Sequence, residues 1–238
     1  MARTLLLWLT LLVFHVSHSQ DSCASTSGNT KVSGRVFLVN TGFAPIPAFS
    51  FNSPISISGL VIRRKKFSYE PDFALGFNGK PWIANSWFRF IIKDNAKFQL
   101  IAGIDPFLFF RKRVDLEGDK IIQAQRNLCG GIIATYKSHV PLTVEYRYNH
   151  GFDKQLSGHF ISLSSNMPAL GETIRLRISP QLFYFNFTGK MDGLFGSTAM
   201  DISYKCMPVS FYLMGVLPMS VNFPGTSFKW NIGIVYAF

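Results

Sequence analysis

The chain has 238 residues, a formal net charge of +11, 24 Phe, 8 Tyr and 4 Trp, and only 16% charged residues. This composition argues against an ordinary soluble secreted domain, because so much aromatic surface must be buried. Three cysteines, Cys23, Cys129 and Cys206, lie far apart without C-x-x-C spacing. That spacing disfavours a zinc site and a disulfide scaffold, and it leaves one isolated disulfide open.

The N-terminus has the features of a secretory signal peptide. Arg3 precedes an apolar run, residues 5–16, which is followed by Ser17-His18-Ser19. This order predicts cleavage after Ser19, so residues 1–19 are the expected signal peptide and residues 20–238 the expected single domain. A membrane anchor is the alternative, but the run is shorter than the roughly 20 residues of a spanning helix. The residues before Cys23 lack a lipoprotein pattern, so no lipid anchor is expected.

Most of the remaining chain alternates between apolar and polar or small residues with a period of two, which predicts β-strands. Two weaker segments, 31–39 and 55–63, come first. Clear alternation follows in residues 67–77, 87–93, 98–111, 142–148, 174–178, 200–204 and 228–238, and a noisier version occupies 122–136. No segment keeps a helical period over ten residues. The pattern predicts an all-β chain of about twelve strands, or ten if the two weak segments are not strands.

Turn-forming residues separate these segments. Gly, Pro, Asn or Asp occurs in most connections, and short connections alternate roughly with longer ones. The longest connection contains Pro45, Pro47 and Pro54. It is expected to form a loop, or a plug over one mouth of a barrel.

Strand length and aromatic placement indicate which solvent meets the apolar faces. The clearest segments run about nine to eleven residues, as a tilted membrane-spanning strand requires, whereas globular strands average about five or six. Aromatic residues expected near strand ends, as in an interfacial girdle, are Trp82, Trp87, Tyr146, Tyr148, Tyr184, Tyr204, Trp230 and Tyr236. Backbone groups in a bilayer must pair around a closed ring. The prediction is therefore a closed antiparallel transmembrane β-barrel in the outer membrane. A soluble secreted β-sandwich that binds a ligand is the alternative.

Two stretches also resemble known proteins. The ending NIGIVYAF resembles the terminal strand that the outer-membrane insertion machinery recognises in bacterial barrels. This resemblance implies an assembly signal at Trp230, Ile232, Ile234, Tyr236 and Phe238. Residues 47–90, which include FSYEPDFALGFNGKPWIANSWFRF, resemble Bacteroidetes-type outer-membrane proteins that are largely uncharacterised. Neither resemblance implies a biochemical activity.

The polar face of the predicted strands is expected to line the barrel interior. It comprises five acids and eight bases: Glu70, Asp72, Asp105, Glu145 and Asp201 with Arg89, Lys93, Arg111, Arg147, Arg175, Arg177, Lys205 and Lys229. One interpretation is structural, with opposite charges bracing a narrow interior. The other is a small porin-like channel whose surplus of positive charge favours anions. Arg175 and Arg177 are the first candidates for that role, because they are adjacent inward positions on one strand.

The basic run Arg63-Arg64-Lys65-Lys66 does not predict nucleic-acid binding, because no recognisable binding module accompanies it. It is expected to form a turn that faces phosphate-rich lipid headgroups, or an ordinary solvated turn. Expected partners are outer-membrane lipid, lipopolysaccharide, the insertion machinery during assembly, and an envelope protein.

A catalytic constellation is not evident. His159 is close in sequence to Ser157, Ser162, Ser164 and Ser165, but residues 159 and 165 of one strand lie about 20 Å apart. A loop histidine beside solvated serines is the expected arrangement. No metal-ligand cluster or cofactor motif occurs. The predicted function is a non-enzymatic outer-membrane barrel, either a channel or a structural or accessory part of the envelope; the alternative is a barrel enzyme acting on outer-membrane lipid.

Overall fold

Twelve antiparallel strands account for most of the structure, a computed structural model that describes residues 30–42, 50–114, 120–152, 157–188, 191–225 and 227–238. The strands are β1 (Thr30–Val39), β2 (Ile55–Arg64), β3 (Phe67–Gly76), β4 (Pro81–Asp94), β5 (Phe98–Val114), β6 (Lys120–Tyr136), β7 (Leu142–Gly151), β8 (Gly158–Ser165), β9 (Ile174–Phe187), β10 (Met191–Tyr204), β11 (Val209–Val221) and β12 (Lys229–Ala237). Both weak N-terminal segments are strands, so the ten-strand alternative is wrong.

The strands close into a barrel in which sequence neighbours pair with one another and β1 pairs with β12. In the closing pair Arg35 lies opposite Ala237 and Val39 lies opposite Gly233. Closure removes the unpaired edges that an open sheet would present. The predicted closed antiparallel barrel of about twelve strands is confirmed, and the β-sandwich alternative is wrong.

The two ends of the barrel have different connections. At the end where β1 begins and β12 ends, here called the terminal end, two of the turns are very tight. One joins β2 to β3 with a positive φ of 53° at Lys65, and the other follows β10 with a φ of 65° at Cys206. At the opposite end the longest connection joins β1 to β2.

Large apolar side chains are exposed on the outer face of the barrel. Every one of the twelve strands carries at least one of them, for example Leu38 on β1, Phe90 on β4, Ile132 on β6 and Phe211 on β11. Contiguous exposed apolar surface of this extent marks a surface that another apolar phase covers.

The start of the β1–β2 connection is tied to the barrel wall at the opposite end. Asn231 on β12 is 8% exposed, and its Nδ2 donates to the Thr41 carbonyl at 2.9 Å. The Phe51 and Asn52 N–H groups both donate to the Gly42 carbonyl, so the two ends of the connection are joined. Residues 43–49, including Pro45 and Pro47, lie outside the described residues. The plug prediction for that stretch therefore stays a prediction.

Residues 31–238 form one compact unit. The predicted signal peptide and Cys23 lie outside the described residues. Cys129 is buried on the inner face and Cys206 is exposed in a turn, and these two thiols are not bonded to each other. Within the described ranges, no helix is long and apolar enough to span a membrane.

Candidate functional site: the barrel interior

Two ion pairs brace the inner wall on strands β3 to β7. The Arg89 guanidinium donates to the Glu70 carboxylate with an N–O distance of 2.5 Å, and Arg147 contacts Glu145 at 2.6 Å. The four side chains are 13% to 33% exposed. Because each positive charge already has a carboxylate, these two arginines contribute little free positive charge to the interior.

Trp87 lies between these two arginines. The guanidinium carbon of Arg89 is 5.0 Å from the indole ring and that of Arg147 is 4.9 Å from it, distances typical of cation–π contacts. Gly103 and Gly131 make room for this stack, since a Cβ at Gly131 would lie 3.1 Å from the Arg147 Cγ and one at Gly103 would lie 3.0 Å from the Arg89 Cγ. The interleaved cations and indole form a rigid patch of wall.

Asp105 occupies a break in the β4–β5 ladder. Its carboxylate is 3% exposed and accepts the Ser86 N–H at 2.6 Å. The next residue is Pro106, which has no N–H to donate. Backbone pairing between β4 and β5 is interrupted here, and the Asp105 carboxylate supplies the acceptor for the Ser86 N–H.

The structure places most of the predicted lining residues on the inner face. Each of them is paired across the ladder with a residue of the inner face, or forms one of the two inner ion pairs. These residues are Glu70, Asp72, Arg89, Asp105, Arg111, Glu145, Arg147, Arg175, Arg177, Asp201 and Lys229. Two are not there. A register shift between Ile91 and Lys93 puts Lys93 opposite Leu100, on the outer face. Lys205 lies in the exposed turn after β10, beyond the wall.

Arg175 and Arg177 lie on the inner face near the terminal end, opposite Ser203 and Asp201. Both are exposed, and neither forms an ion pair among the described residues. The Asp201 carboxylate instead accepts a hydrogen bond from the Ser210 hydroxyl at 2.8 Å. Arg35, which the sequence did not identify, adds a third exposed guanidinium on this part of the inner wall and stacks on the Phe37 ring at 5.2 Å.

An aromatic cluster occupies the interior toward the opposite end. Phe183, Phe185, Phe195 and Val216 are only 2% to 4% exposed, and Phe183 and Phe195 stack with centroids 5.2 Å apart. Phe160, Phe187 and Phe223 pack against this group. The interiors of known membrane barrels are generally polar, so this cluster is a departure that narrows the interior. Sequence periodicity did not predict this cluster, because residues 181–187, QLFYFNF, place apolar side chains on both faces of the strand.

A cavity of about 400 Å³ lies between part of the aromatic cluster and Arg35, and we call it the interior cavity. Its wall includes Phe160, Phe183 and Val216 toward the opposite end and Arg35, Asp72 and Tyr212 toward the terminal end. Trp82 also lines it.

Six of the eight predicted girdle aromatics lie on the outer face. Tyr204 and Tyr236 are near the terminal end and Tyr184 and Trp230 near the opposite end, while Tyr146 and Tyr148 lie along β7. The girdle prediction is wrong for Trp82 and Trp87. Trp87 is 8% exposed and faces inward opposite Glu70, and Trp82 lines the interior cavity. An indole on the inner face can stack on guanidinium groups. The position of a tryptophan in the sequence does not predict such contacts, because they involve residues of other strands.

The predicted assembly-signal residues share one face of the final strand. Trp230, Ile232, Ile234 and Phe238 are 43% to 58% exposed on the outside, and Tyr236 lies in register with them. Phe238 exchanges two backbone hydrogen bonds with Gly34, of 2.7 and 2.9 Å, and its ring lies over that glycine. The aromatic terminus is therefore paired to β1.

His159 faces outward and contacts tyrosines rather than serines. Its Nδ1 is 2.8 Å from the Tyr146 hydroxyl, and its ring packs near Tyr148. The Ser157 hydroxyl contacts a different neighbour, since its Oγ accepts the Gly151 N–H at 3.1 Å. Among the described residues, no group of three metal-ligating side chains occurs.

Comparison with solved structures returns barrels of the outer membrane. The chain is similar to the KdgM porin in complex with disordered oligogalacturonate, with a TM-score of 0.53 and 11% identity over 88% of this chain and 99% of that one. A second structure of the KdgM porin gives a TM-score of 0.52 and 11% identity, covering 87% and 99%. A loop-deletion mutant of OmpT, an outer membrane protein of Vibrio cholerae, gives 0.46 and 9%, covering 89% and 100%.

No family model and no curated protein sequence matches the chain. At 11% identity the likeness to the KdgM porin shows the fold. The chain has the β-barrel fold found in outer-membrane porins.

Proposed function

We propose that this chain is an integral outer-membrane β-barrel that acts as a narrow, porin-like channel favouring small anions, without enzymatic activity. One observation carries the proposal. A closed barrel with an apolar outer face on every strand encloses an interior in which Arg35, Arg175 and Arg177 form no ion pair among the described residues.

Membrane residence is supported by the outer face and by strand length. The strands have 8 to 17 residues, and most reach the roughly 9 to 11 that a tilted spanning strand needs. The predicted signal peptide supplies export, and the aromatic alternation from Trp230 to Phe238 supplies the assembly signal for the insertion machinery. Membership of the Bacteroidetes-type group, based on residues 47–90, is part of this proposal.

Anion preference follows from the distribution of charge rather than from its total. Arg89 and Arg147 are neutralised by carboxylates, whereas Arg35 on β1 and Arg175 and Arg177 on β9, which form no ion pair among the described residues, all lie toward the terminal end. A low-dielectric enclosure with a surplus of one sign of charge concentrates counter-ions. The KdgM porin seen with oligogalacturonate shares only its fold with this chain, so the solute class rests on these arginines.

The basic turn between β2 and β3 is proposed to meet anionic headgroups of phospholipid or lipopolysaccharide. Arg63, Arg64, Lys65 and Lys66 are all exposed at the terminal end, next to the exposed apolar ring of Phe67. Basic side chains beside an apolar band suit the boundary between hydrocarbon and phosphate. An envelope protein that docks at this end is a further proposed partner.

Replacing Arg175 and Arg177 together with Gln should abolish most of the anion preference in planar bilayers. The two substitutions remove two of the three unpaired inner guanidinium groups and leave the aromatic cluster intact. The measurement is the reversal potential across a salt gradient, taken at about 0.1 M and again near 1 M salt, where the Debye length falls from about 10 Å to 3 Å. The shift should be larger at low salt.

The matched control is the double variant Lys65→Gln, Lys66→Gln, which removes the same charge from an exposed turn outside the interior. It should leave selectivity nearly unchanged at the higher salt concentration. Equal effects of the two double variants would show that the inner arginines have no special role.

A structural role without conduction is the second candidate, and the aromatic cluster favours it. Phe183, Phe185 and Phe195 fill part of the interior, and the two Arg–Glu pairs brace the wall. The purified protein would then show no conductance in the same bilayers.

The absence of enzymatic activity is proposed because His159 faces outward against Tyr146, away from Ser162, which is 2% exposed on the inner face opposite Phe183. Altered acyl chains or headgroups in the lipids of cells lacking the protein would contradict this part of the proposal.

A further inference from the structure

The interior cavity has the size and lining of a small-molecule site. Its volume of about 400 Å³ lies within the range of about 300–1,000 Å³ found for ligand pockets. Such pockets are lined by apolar and aromatic side chains with a few polar groups that fix orientation.

The apolar part of the wall consists of buried aliphatic and aromatic side chains. Val39, Ile55, Phe183 and Val216 are 1% to 5% exposed, and Phe160 stacks on Phe183 with centroids 5.8 Å apart. Water inside such a wall finds few hydrogen-bond partners. Replacing that water with an apolar ring is therefore favourable.

Arg35, Asp72 and Tyr212 line the cavity toward the terminal end. Arg35 is exposed there, and the Tyr212 ring packs edge-on against Phe37 at 5.8 Å. Among the described residues, the one hydrogen bond of the Tyr212 hydroxyl goes to the Met214 thioether at 3.0 Å, and a thioether is a weak acceptor. This hydroxyl and the Arg35 guanidinium can both donate to a ligand oxygen.

The charges of the wall oppose a charged ligand. Arg35 and Asp72 both line the cavity, so an anion would meet the Asp72 carboxylate and a cation would meet the guanidinium. Of the other polar side chains in the wall, Asn231 is already bonded to the Thr41 backbone, and the Gln181 Oε1 accepts the Ser197 hydroxyl at 3.4 Å. An uncharged molecule with an oxygen at one end satisfies the donors without adding a like charge.

We propose that the interior cavity binds small uncharged aromatic or alicyclic molecules that carry a hydroxyl or carbonyl group, with the ring against Phe160 and Phe183 and the oxygen toward Arg35 and Tyr212. The site shares Arg35 with the proposed anion path, but Arg175 and Arg177 do not line it, and ligand binding does not depend on conduction.

The positions of the tryptophans allow a direct test. Trp8 precedes the predicted cleavage site, so the processed chain contains Trp82, Trp87 and Trp230. Trp82 lines the cavity, whereas Trp230 is 53% exposed on the outer face. One variant, Trp87→Phe with Trp230→Phe, reports from the cavity, and a matched variant, Trp82→Phe with Trp87→Phe, reports from the outside. Each is reconstituted in phosphatidylcholine vesicles and titrated with 4-bromobenzyl alcohol, whose bromine quenches nearby indoles.

The expected result is saturable quenching of Trp82 and only weak, linear quenching of Trp230. Ile57→Phe, which fills the cavity wall, should weaken the apparent affinity by about tenfold. The matched change Leu60→Phe, on the outer face of the same strand, should not affect it. The anion 4-bromobenzoate should bind more weakly than the alcohol.

Three results would overturn the proposal: equal unsaturable quenching of both indoles, which indicates partition into the bilayer; tighter binding of the benzoate; or equal effects of the two Phe substitutions. If Trp87→Phe impairs folding, Trp230→Phe is compared with the double variant Trp82→Phe, Trp230→Phe. The saturable component must then disappear with Trp82, and its persistence would count against the site.

Discussion

Phe195→Ala is expected to lower the free energy of unfolding by about 3–5 kcal/mol, as truncation of a buried Phe does in well-packed interiors. The Phe195 ring is 2% exposed and stacks against both Phe183, at 5.2 Å, and Phe185, at 5.5 Å. Truncation leaves a void that the rigid wall cannot collapse to fill. The measurement is urea unfolding from lipid vesicles, followed by tryptophan fluorescence.

Phe195→Leu is the matched control, because it keeps most of the volume and should cost less than about 1.5 kcal/mol. A loss below about 1 kcal/mol for Phe195→Ala would mean that the cluster is loosely packed or hydrated. The interior would then be wider than the structure shows.

Arg147→Met is expected to destabilise the barrel by about 2–3 kcal/mol, less than the roughly 3–5 kcal/mol of a fully buried pair because the arginine is about one-third exposed. The substitution leaves Glu145, 13% exposed at its side chain, without its counterion. It also removes the cation stacked on Trp87. The same urea unfolding measurement in vesicles reports the loss.

A double-mutant cycle with Glu145→Gln separates the ion pair from the packing. The double variant has no unpaired carboxylate at this position, so it should recover part of the loss seen in Arg147→Met alone. If the two single losses simply add, the 2.6 Å contact does not stabilise the wall.

Sequence periodicity was sufficient to predict the strands whose two faces differ chemically. In β12 the large side chains from Trp230 to Phe238 point outward and Asn231 and Val235 are buried inside, as the alternation predicted. The same holds for the β7 segment around Glu145 and Arg147. A shift of one residue in the strand pairing would move all the apolar side chains of the strand to the polar face, so the register is strongly specified there.

The interior contacts were harder to predict for identifiable reasons. In residues 181–187 both faces are apolar, so a period of two cannot tell that Phe183 points inward and Tyr184 outward. The register shift in β4 moves Lys93 to the outer face, and a sequence does not show an irregularity of one residue. Arg35 was missed because its strand has weak alternation.

Trp87 shows the limit of composition rules. Indoles near strand ends favour the membrane interface, yet this one is held inside by Arg89 and Arg147. Those arginines come from different strands, so only the fold brings them together. Gly103 and Gly131 both pack against this stack, and their positions in the sequence do not predict that they contact the same group of side chains.

Spin labels along β12 test most directly whether the apolar face meets hydrocarbon and the polar face encloses the interior. Single nitroxides are placed at 231, 232, 234 and 235 in a background in which Cys23, Cys129 and Cys206 are Ala, and the protein is reconstituted in vesicles. Labels replacing Ile232 and Ile234 should collide often with oxygen, which concentrates in the bilayer, and rarely with a water-soluble nickel chelate. Labels replacing Asn231 and Val235 should show low oxygen collision. Equal collision rates on both faces, or high nickel collision at 232 and 234, would contradict the account.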